Sequence, residues 1–128
     1  MAAKRSGKRS RSQGAEFLQE PRGVIHPRVQ KVGPEHFGVI SVDCAKARSK
    51  WMLADFYGKV LVAPTEVAHN RVELEAAVLQ ARAALTQHGL HDCVVAIERT
   101  GRYHHPVKNA FAKGGFETRL CDCLRHRT

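Results

Sequence analysis

The sequence is short of cysteine, of acidic residues and of long apolar runs, and these shortages exclude several classes of protein. Its four cysteines, Cys44, Cys93, Cys121 and Cys123, are too few and too irregularly spaced for a disulfide framework. We therefore expect reduced thiols and a cytoplasmic location. No stretch approaches the roughly 18 consecutive apolar residues of a membrane span. The N-terminus has no apolar segment, which excludes a secretory signal.

Acidic residues are scarce relative to basic ones: 12 Asp and Glu stand against 21 Lys and Arg, giving the 128-residue chain a formal net charge of +9. Such an excess favours a polyanionic partner, and nucleic acid is the usual one. At 43% hydrophobic and 26% charged residues, the composition is that of a globular protein of one domain.

Over half of the excess charge lies at the start of the chain. Residues 1–35 hold eight basic and three acidic side chains, and prolines and glycines punctuate them from Pro21 onward. We expect a basic, disordered arm and linker there. A solvated tail without a partner has the same composition, so this alternative stays open. The arm's candidate nucleic-acid contacts are Lys4, Arg5, Lys8, Arg9 and Arg11.

A regular pattern extends from His36 to Leu120. Short apolar runs bounded by turn residues predict five strands, and a close Tyr57-Gly58 turn joins the second and third as an antiparallel hairpin. The first of two helices is predicted from an Asn70 cap and an apolar stripe at helical spacing. The predicted strands are residues 37–43, 49–56, 59–63 (ended by Pro64), 93–98 and 116–120, and the helices lie between Asn70 and Gly89 and between Thr100 and Gly114.

The order strand, strand, strand, helix, strand, helix, strand predicts an α/β protein with a mixed sheet and helices packed on it. A doubly wound nucleotide-binding fold would alternate strands and helices from the start, so this order excludes it. In the predicted order the first strand commonly borders the fourth and runs parallel to it. Parallel neighbours end at the same edge of the sheet, where α/β proteins generally place their ligands.

Two carboxylates stand where these strands end, Asp43 on the first and Glu98 on the fourth. Meeting there, they would repel each other and be costly to desolvate unless a cation lay between them. Hard oxygen ligands select Mg²⁺ or Mn²⁺, which activate the attacking oxygen and stabilise the leaving one in phosphoryl transfer. Spacing alone leaves a plainer alternative open, in which Asp43 forms a turn and Glu98 faces solvent or pairs with Arg99 or Arg102.

Three segments resemble the N-terminal domain of the insertion-sequence 110 family transposases. They are FGVISVDCAK at residues 37–46, DFYGKV at 55–60 and AIERTGRY at 96–103. The resemblance implies a RuvC-like, ribonuclease H-like fold with four catalytic acids in the order Asp, Glu, Asp, Asp. Asp43 and Glu98 match the first two, so the resemblance makes them catalytic ligands of Mg²⁺ or Mn²⁺ in the cleavage or exchange of DNA strands.

The same resemblance sets the expected partners and the expected extent of the domain. We expect DNA as the partner, a guide RNA by resemblance, a nucleoid-associated location and self-association into a homo-oligomer. The family's last two aspartates lie on a helix beyond the fifth strand, whereas the chain ends at Thr128. We therefore expect a partial domain over residues 36–120 with little or no nuclease activity alone. Residues 121–128 break from the pattern, as a frameshift near Leu120 would explain.

Basic residues near Glu98 form a second group of candidates. Arg99, Arg102 and Lys108 are predicted to contact nucleic acid as a basic rim beside the carboxylates. Their helical spacing does not bring all of them to one side. A solvated helix face is therefore the open alternative.

Other functions remain compatible with the sequence. Half of a sugar kinase or actin-like ATPase shares the strand and helix order, but those proteins favour a glycine-rich phosphate-binding turn after the first strand, and residues 45–48 (AKAR) contain no glycine. A basic fragment without catalysis would bind nucleic acid through its arm. A decayed open reading frame would have no function.

Overall fold

The computed structural model describes residues 26–98 and 103–121. Within these ranges the elements follow the predicted order, with one short helix added in front. The strands are β1 Phe37–Cys44, β2 Arg48–Asp55, β3 Val60–Ala68, β4 Asp92–Glu98 and β5 Glu117–Cys121. The helices are α1 Pro27–Val32, α2 Arg71–Gln87 and α3 His104–Lys113, with a 3-10 turn at Pro34–His36. None of the described helices is long and apolar enough to cross a membrane.

All five strands belong to one mixed sheet, in the order β3-β2-β1-β4-β5. β1, β2 and β3 pair antiparallel as a meander, and β1–β4 and β4–β5 pair in parallel across the two helical crossovers. The predicted α/β class, the mixed sheet and the parallel contact between the first and fourth strands are therefore confirmed. The parallel pairing of β1 and β4 determines which residues meet at the C-terminal ends of these strands.

The two sides of the sheet are covered differently. Both α2 and α3 pack on one side, which we call the core side. Alternate residues of a strand point to the same side, and the core-side residues of β1 and β4, such as Val42 and Ile97, join Leu74 of α2 and Phe111 of α3 in one buried cluster. Phe111 meets Phe116 edge to face at 5.4 Å between ring centroids, a favoured aromatic geometry.

The opposite side, which we call the far side, has a smaller apolar cluster. It contains Phe37 and Val39 of β1, Val94 of β4, Val29 of α1, and Phe56, which follows β2. These strand residues lie toward the N-terminal ends of β1 and β4, so the cluster covers that half of the far side. The C-terminal ends of both strands extend beyond it.

Helix α1 corrects the prediction of a linker over residues 1–35, because Pro27–Val32 are helical. The ring Nδ1 of His26 accepts a hydrogen bond from the Arg28 backbone N–H at 3.2 Å, which caps the helix. A six-residue helix is marginal in isolation, and burial of Val29, which is 0% exposed, supplies tertiary stabilisation. Local composition does not reveal such a contact. Residues 1–25 lie outside the described residues.

An ion pair fastens α1 to the start of β4. The Arg28 guanidinium donates two hydrogen bonds to the Asp92 carboxylate, from Nη2 at 2.6 Å and from Nε at 3.0 Å. Burial alone would raise the pKa of Asp92, but the hydrogen bonds from Arg28 and from the Cys93 backbone outweigh it, and the pKa is lowered. Bidentate pairing of this kind adds geometric specificity to the electrostatic attraction.

Strand β3 corrects a second prediction, because it continues through Pro64 to Ala68. β3 lies at the edge of the sheet, where a proline without an N–H leaves no interior ladder bond unmade. The register also shifts here: Trp51 pairs with Thr65 and Leu53 with Val62, so an extra residue bulges beside Pro64. The sequence does not show that this strand is an edge strand.

The cap of α2 follows the prediction. The Asn70 side chain accepts a hydrogen bond from the Glu73 backbone N–H at 2.9 Å, satisfying one of the free donors of the first turn. The Glu73 carboxylate accepts one from the backbone N–H of Ala68, also at 2.9 Å. These bonds fix the passage from β3 into α2, next to the turn that joins β1 and β2.

Candidate functional site

The candidate site lies at the C-terminal ends of β1 and β4. The last paired residues of these parallel strands are Val42 and Ile97. The next residue of each strand is an acid, Asp43 on β1 and Glu98 on β4. Neighbouring strands lie about 4.8 Å apart, so the register brings the two predicted acids side by side at one edge of the sheet. We call Asp43 and Glu98 the acid pair.

Both members of the acid pair point to the far side. Val42 and Ile97 belong to the core-side cluster, and successive side chains of a strand alternate between sides. Asp43 is exposed, whereas Glu98 is half-buried. The pair thus lies beyond the far-side apolar cluster, on the side of the sheet opposite to α2 and α3.

The pKa of one buried thiol, that of Cys44, is affected by both carboxylates. The pKa of Cys44 is raised, chiefly because the thiol is buried. A hydrogen bond with the Ser49 side chain opposes this effect by lowering the pKa. The negative charges of Asp43 and Glu98 each raise it further. Both charges therefore act on a single sulfur atom, which agrees with their placement at the same edge by the strand register.

A hydrogen-bond chain behind the β1–β2 turn holds this edge of the sheet. Ser49 Oγ lies 2.7 Å from His69 Nε2, and the ring also hydrogen-bonds the backbone of Lys46. Burial lowers the pKa of His69, although the bond with Lys46 opposes this effect. The His69 backbone N–H also donates to the Ala47 carbonyl at 3.0 Å. The turn is thereby tied to the start of α2.

Beside the acid pair, the turn forms an open cleft of about 460 Å³, which we call the turn cleft. Its charged residues come from β1, β2, β3 and the turn. Arg48 pairs with Glu66 across β2 and β3 at 3.3 Å. The residues that line the turn cleft are Asp43, Ala45, Lys46, Ala47, Arg48, Ser49, Lys50 and Glu66.

The donor set of the acid pair suits a hard divalent cation. Mg²⁺ is commonly held by one or two carboxylates together with water and substrate phosphates, and Asp43 and Glu98 provide two. Across residues 26–98 and 103–121, no group of three or more His, Cys, Asp and Glu side chains could hold a metal ion. Two carboxylates alone would leave most coordination positions of such a cation to water or substrate.

The predicted basic contacts have different positions relative to the acid pair. Lys108 lies on α3 between Val107 and Phe111, which are both buried in the core-side cluster. The helix that carries Lys108 is therefore on the other side of the sheet from the carboxylates, which corrects its expected place in a rim beside them. The other predicted contacts, Lys4, Arg5, Lys8, Arg9, Arg11, Arg99 and Arg102, lie outside the described residues.

Sequence reasoning missed the cations that do flank the acid pair. Lys50 is the cross-strand partner of Asp43, and Lys46 lines the same turn cleft. The signal was present in the alternation of β2, where buried Ser49 and Trp51 enclose exposed Lys50. Placing Lys50 beside Asp43 from this alternation also requires the β1–β2 register, because a shift of one residue would move Lys50 to the core side.

Comparison with known proteins identifies no family. No protein-family model matches the chain, and no curated protein matches it. Among solved structures, the chain is similar to a Bacteroides thetaiotaomicron protein described as having an actin-like ATPase fold and unknown function, with a TM-score of 0.47 and 8% identity over 75% of this chain. The chain spans 37% of that protein's length. A similarity at this level indicates no activity.

Proposed function

We propose that the chain is a RuvC-like, ribonuclease H-like domain of a DNA transposase or recombinase, with Asp43 and Glu98 as metal ligands. The observation that carries the proposal is the register of β1 and β4, in which Val42 and Ile97 are paired immediately before the two acids. An acid on each of two adjacent parallel strands, at the same edge and on the same side, is a suitable arrangement for a metal-dependent phosphoryl-transfer site.

The chemistry follows from the properties of two adjacent carboxylates. Two adjacent negative charges attract a divalent cation such as Mg²⁺ or Mn²⁺. A bound metal supplies activation of the attacking oxygen and stabilisation of the leaving oxygen. Asp43 and Glu98 would hold it, and the exposure of Asp43 would leave room for water and a DNA phosphate.

The four-acid pattern of the resembled family limits the expected activity. Two of its acids have counterparts in this sequence, and a single pair leaves most coordination positions of a metal to water. We therefore expect measurable but weak metal binding, with little or no strand cleavage by the chain alone. Guide RNA and self-association belong to the same proposal and concern the complete transposase.

Metal binding is the direct test. Mn²⁺ titrations followed by electron paramagnetic resonance should detect binding to the wild-type chain, and Asp43→Asn or Glu98→Gln should weaken it at least fivefold. Glu75→Gln is the matched control, because Glu75 is an exposed carboxylate on α2, on the core side of the sheet. Equal Mn²⁺ binding by all four proteins would contradict the proposed ligands.

A cleavage assay tests the expected lack of activity separately. Supercoiled and oligonucleotide DNA incubated with Mg²⁺ or Mn²⁺ should remain intact on a gel. Cleavage that Asp43→Asn abolishes would contradict the expectation that the pair alone is insufficient, while it would support the assignment of Asp43. Cleavage unaffected by Asp43→Asn would indicate a contaminant or a different site.

A further inference from the structure

We infer that the turn cleft binds a backbone phosphate of nucleic acid through Lys46 and Lys50, next to the phosphate that a metal held by the acid pair would contact. The inference rests on the proposed function, because it assumes that Asp43 is a metal ligand. It adds a substrate-binding element on the β1–β2 turn that the sequence patterns did not indicate.

Strand geometry explains why both functions share one surface. Asp43 and Lys50 are direct cross-strand partners, so their side chains leave the same side of the sheet. Lys46 is exposed in the turn and lines the same cleft. Substrate bound at Asp43 would therefore have two ammonium groups beside it on the β2 side.

The charges of the cleft leave these ammonium groups available. Glu66 is the cross-strand partner of Lys50 on β3, but its carboxylate pairs with Arg48 at 3.3 Å, and these two charges offset each other. Within residues 26–98 and 103–121, neither Lys46 nor Lys50 has a carboxylate partner among the ion pairs. A metal held by the acid pair would further cancel the negative charge of Asp43, leaving the cleft cationic.

The floor of the cleft is fixed in place, which lowers the cost of ordering the turn on binding. The Ala45 backbone N–H donates to the Arg48 carbonyl at 3.0 Å, closing the turn. Behind it, Ser49 is 2% exposed and lies 2.7 Å from His69. Preorganised backbone with mobile lysine tips suits a phosphate contact that positions a polymer without reading its sequence.

A polymer of phosphates fits these observations better than a single anion does. The acid pair with its metal and the turn cleft are adjacent, so consecutive phosphates of one strand could occupy both. Linked phosphates convert the second contact into an intramolecular one, which strengthens overall binding. The shared chemistry is a phosphate oxygen accepting from lysine, and a free nucleotide could offer the same group, so the test must separate the two sources.

The test measures binding of a fluorescent 20-base-pair DNA duplex by anisotropy, with the full chain in EDTA over a range of salt concentrations. The Lys46→Gln/Lys50→Gln double variant should bind more weakly and reduce the slope of log K against log salt by about two, near one per lost phosphate contact. When salt is raised from about 50 to about 200 mM, the fold-loss of affinity should therefore be about ten times smaller for the double variant than for the wild type. The basic arm is common to all variants and cancels in this difference.

Matched variants make the result specific. Lys59→Gln removes one lysine charge, against two in the double variant, from an exposed position in the β2–β3 turn at the opposite end of the sheet, and should leave the slope unchanged. The Lys46→Arg/Lys50→Arg double variant should retain wild-type binding, because both substitutions keep the positive charge. A slope that changes equally in Lys59→Gln, or not at all in the double glutamine variant, would overturn the inference.

The source of the phosphate and the role of the metal are separated by two further measurements. ATP and inorganic phosphate should compete poorly with the duplex, and competition by ATP at equal or lower concentration would overturn the assignment to nucleic acid. Using EDTA makes the lysine result independent of the metal. The Mn²⁺ titrations of Asp43→Asn test the proposed function without the lysines, so the two failures are distinguishable.

Discussion

The two sides of the sheet differ in how much apolar surface they bury. The core side has 18 buried residues in one cluster, whereas the far side has five, among the described residues. On the far side, β1 runs from Val39 through Ser41 to Asp43, and the parallel β4 runs from Val94 through Ala96 to Glu98. Both strands pass from apolar to small to acidic at matching register. The core side therefore supplies most of the packing of the fold, and the far side carries its two acids at one end.

The largest effect should come from breaking the core side. Leu74 of α2 is 6% exposed and belongs to its cluster, so Leu74→Ala should cost about 2–5 kcal/mol of unfolding free energy through lost burial and a residual cavity. Leu79 lies on the same helix but is 69% exposed, and Leu79→Ala should stay within about 0.5 kcal/mol. Urea unfolding measures both, and equal losses would show that α2 is not anchored as described.

A smaller effect should come from releasing α1 from the far side. Arg28→Ala leaves the Asp92 carboxylate half-buried without its bidentate partner, and should cost about 1–2 kcal/mol. Lys31→Ala, which removes an exposed cation from the same helix, should cost less. Urea unfolding of the three proteins at neutral pH gives the comparison. A larger loss in Lys31→Ala would contradict the role given to the ion pair.

The ion pair also predicts a pH dependence. The folded-state pKa of Asp92 is lowered, so its contribution is present above the unfolded value of about 3.9 and is lost as the pH falls through the folded value. The stability difference between wild type and Arg28→Ala should therefore shrink below about pH 4. A difference that stays constant from neutral pH into this range would mean that packing, and not charge, holds α1.

The sequence predicts the two sides of the sheet unequally. Local signals suffice for the core side: the Asn70 cap and the spacing of Leu74 and Val78 predict α2, and the apolar run before Glu98 predicts β4. The strand and helix order then predicts that β1 and β4 are parallel neighbours. The position of the acid pair follows from these predictions without any long-range information about side chains.

Features that depend on tertiary context were not predictable in the same way. Helix α1 exists because Val29 is buried and Arg28 finds Asp92, which lies 64 residues away. β3 passes Pro64 because it is an edge strand, and Lys50 flanks Asp43 because of the β1–β2 register. Each depends on a partner strand or side chain that composition and periodicity do not specify.

The smallest effect should come from His69, which links the core side to the turn cleft. Its pKa is lowered in the folded state by burial, so the folded protein binds this proton less readily than the unfolded chain. The resulting contribution is complete above the unfolded pKa of about 6.5 and is lost as the pH falls through the folded value. Wild type should therefore lose more stability between about pH 7.5 and 5.5 than His69→Gln, which keeps an acceptor for the Ser49 hydroxyl but does not titrate. The other histidines are the same in both proteins, so equal losses in urea unfolding would show that the neutral ring does not support the turn.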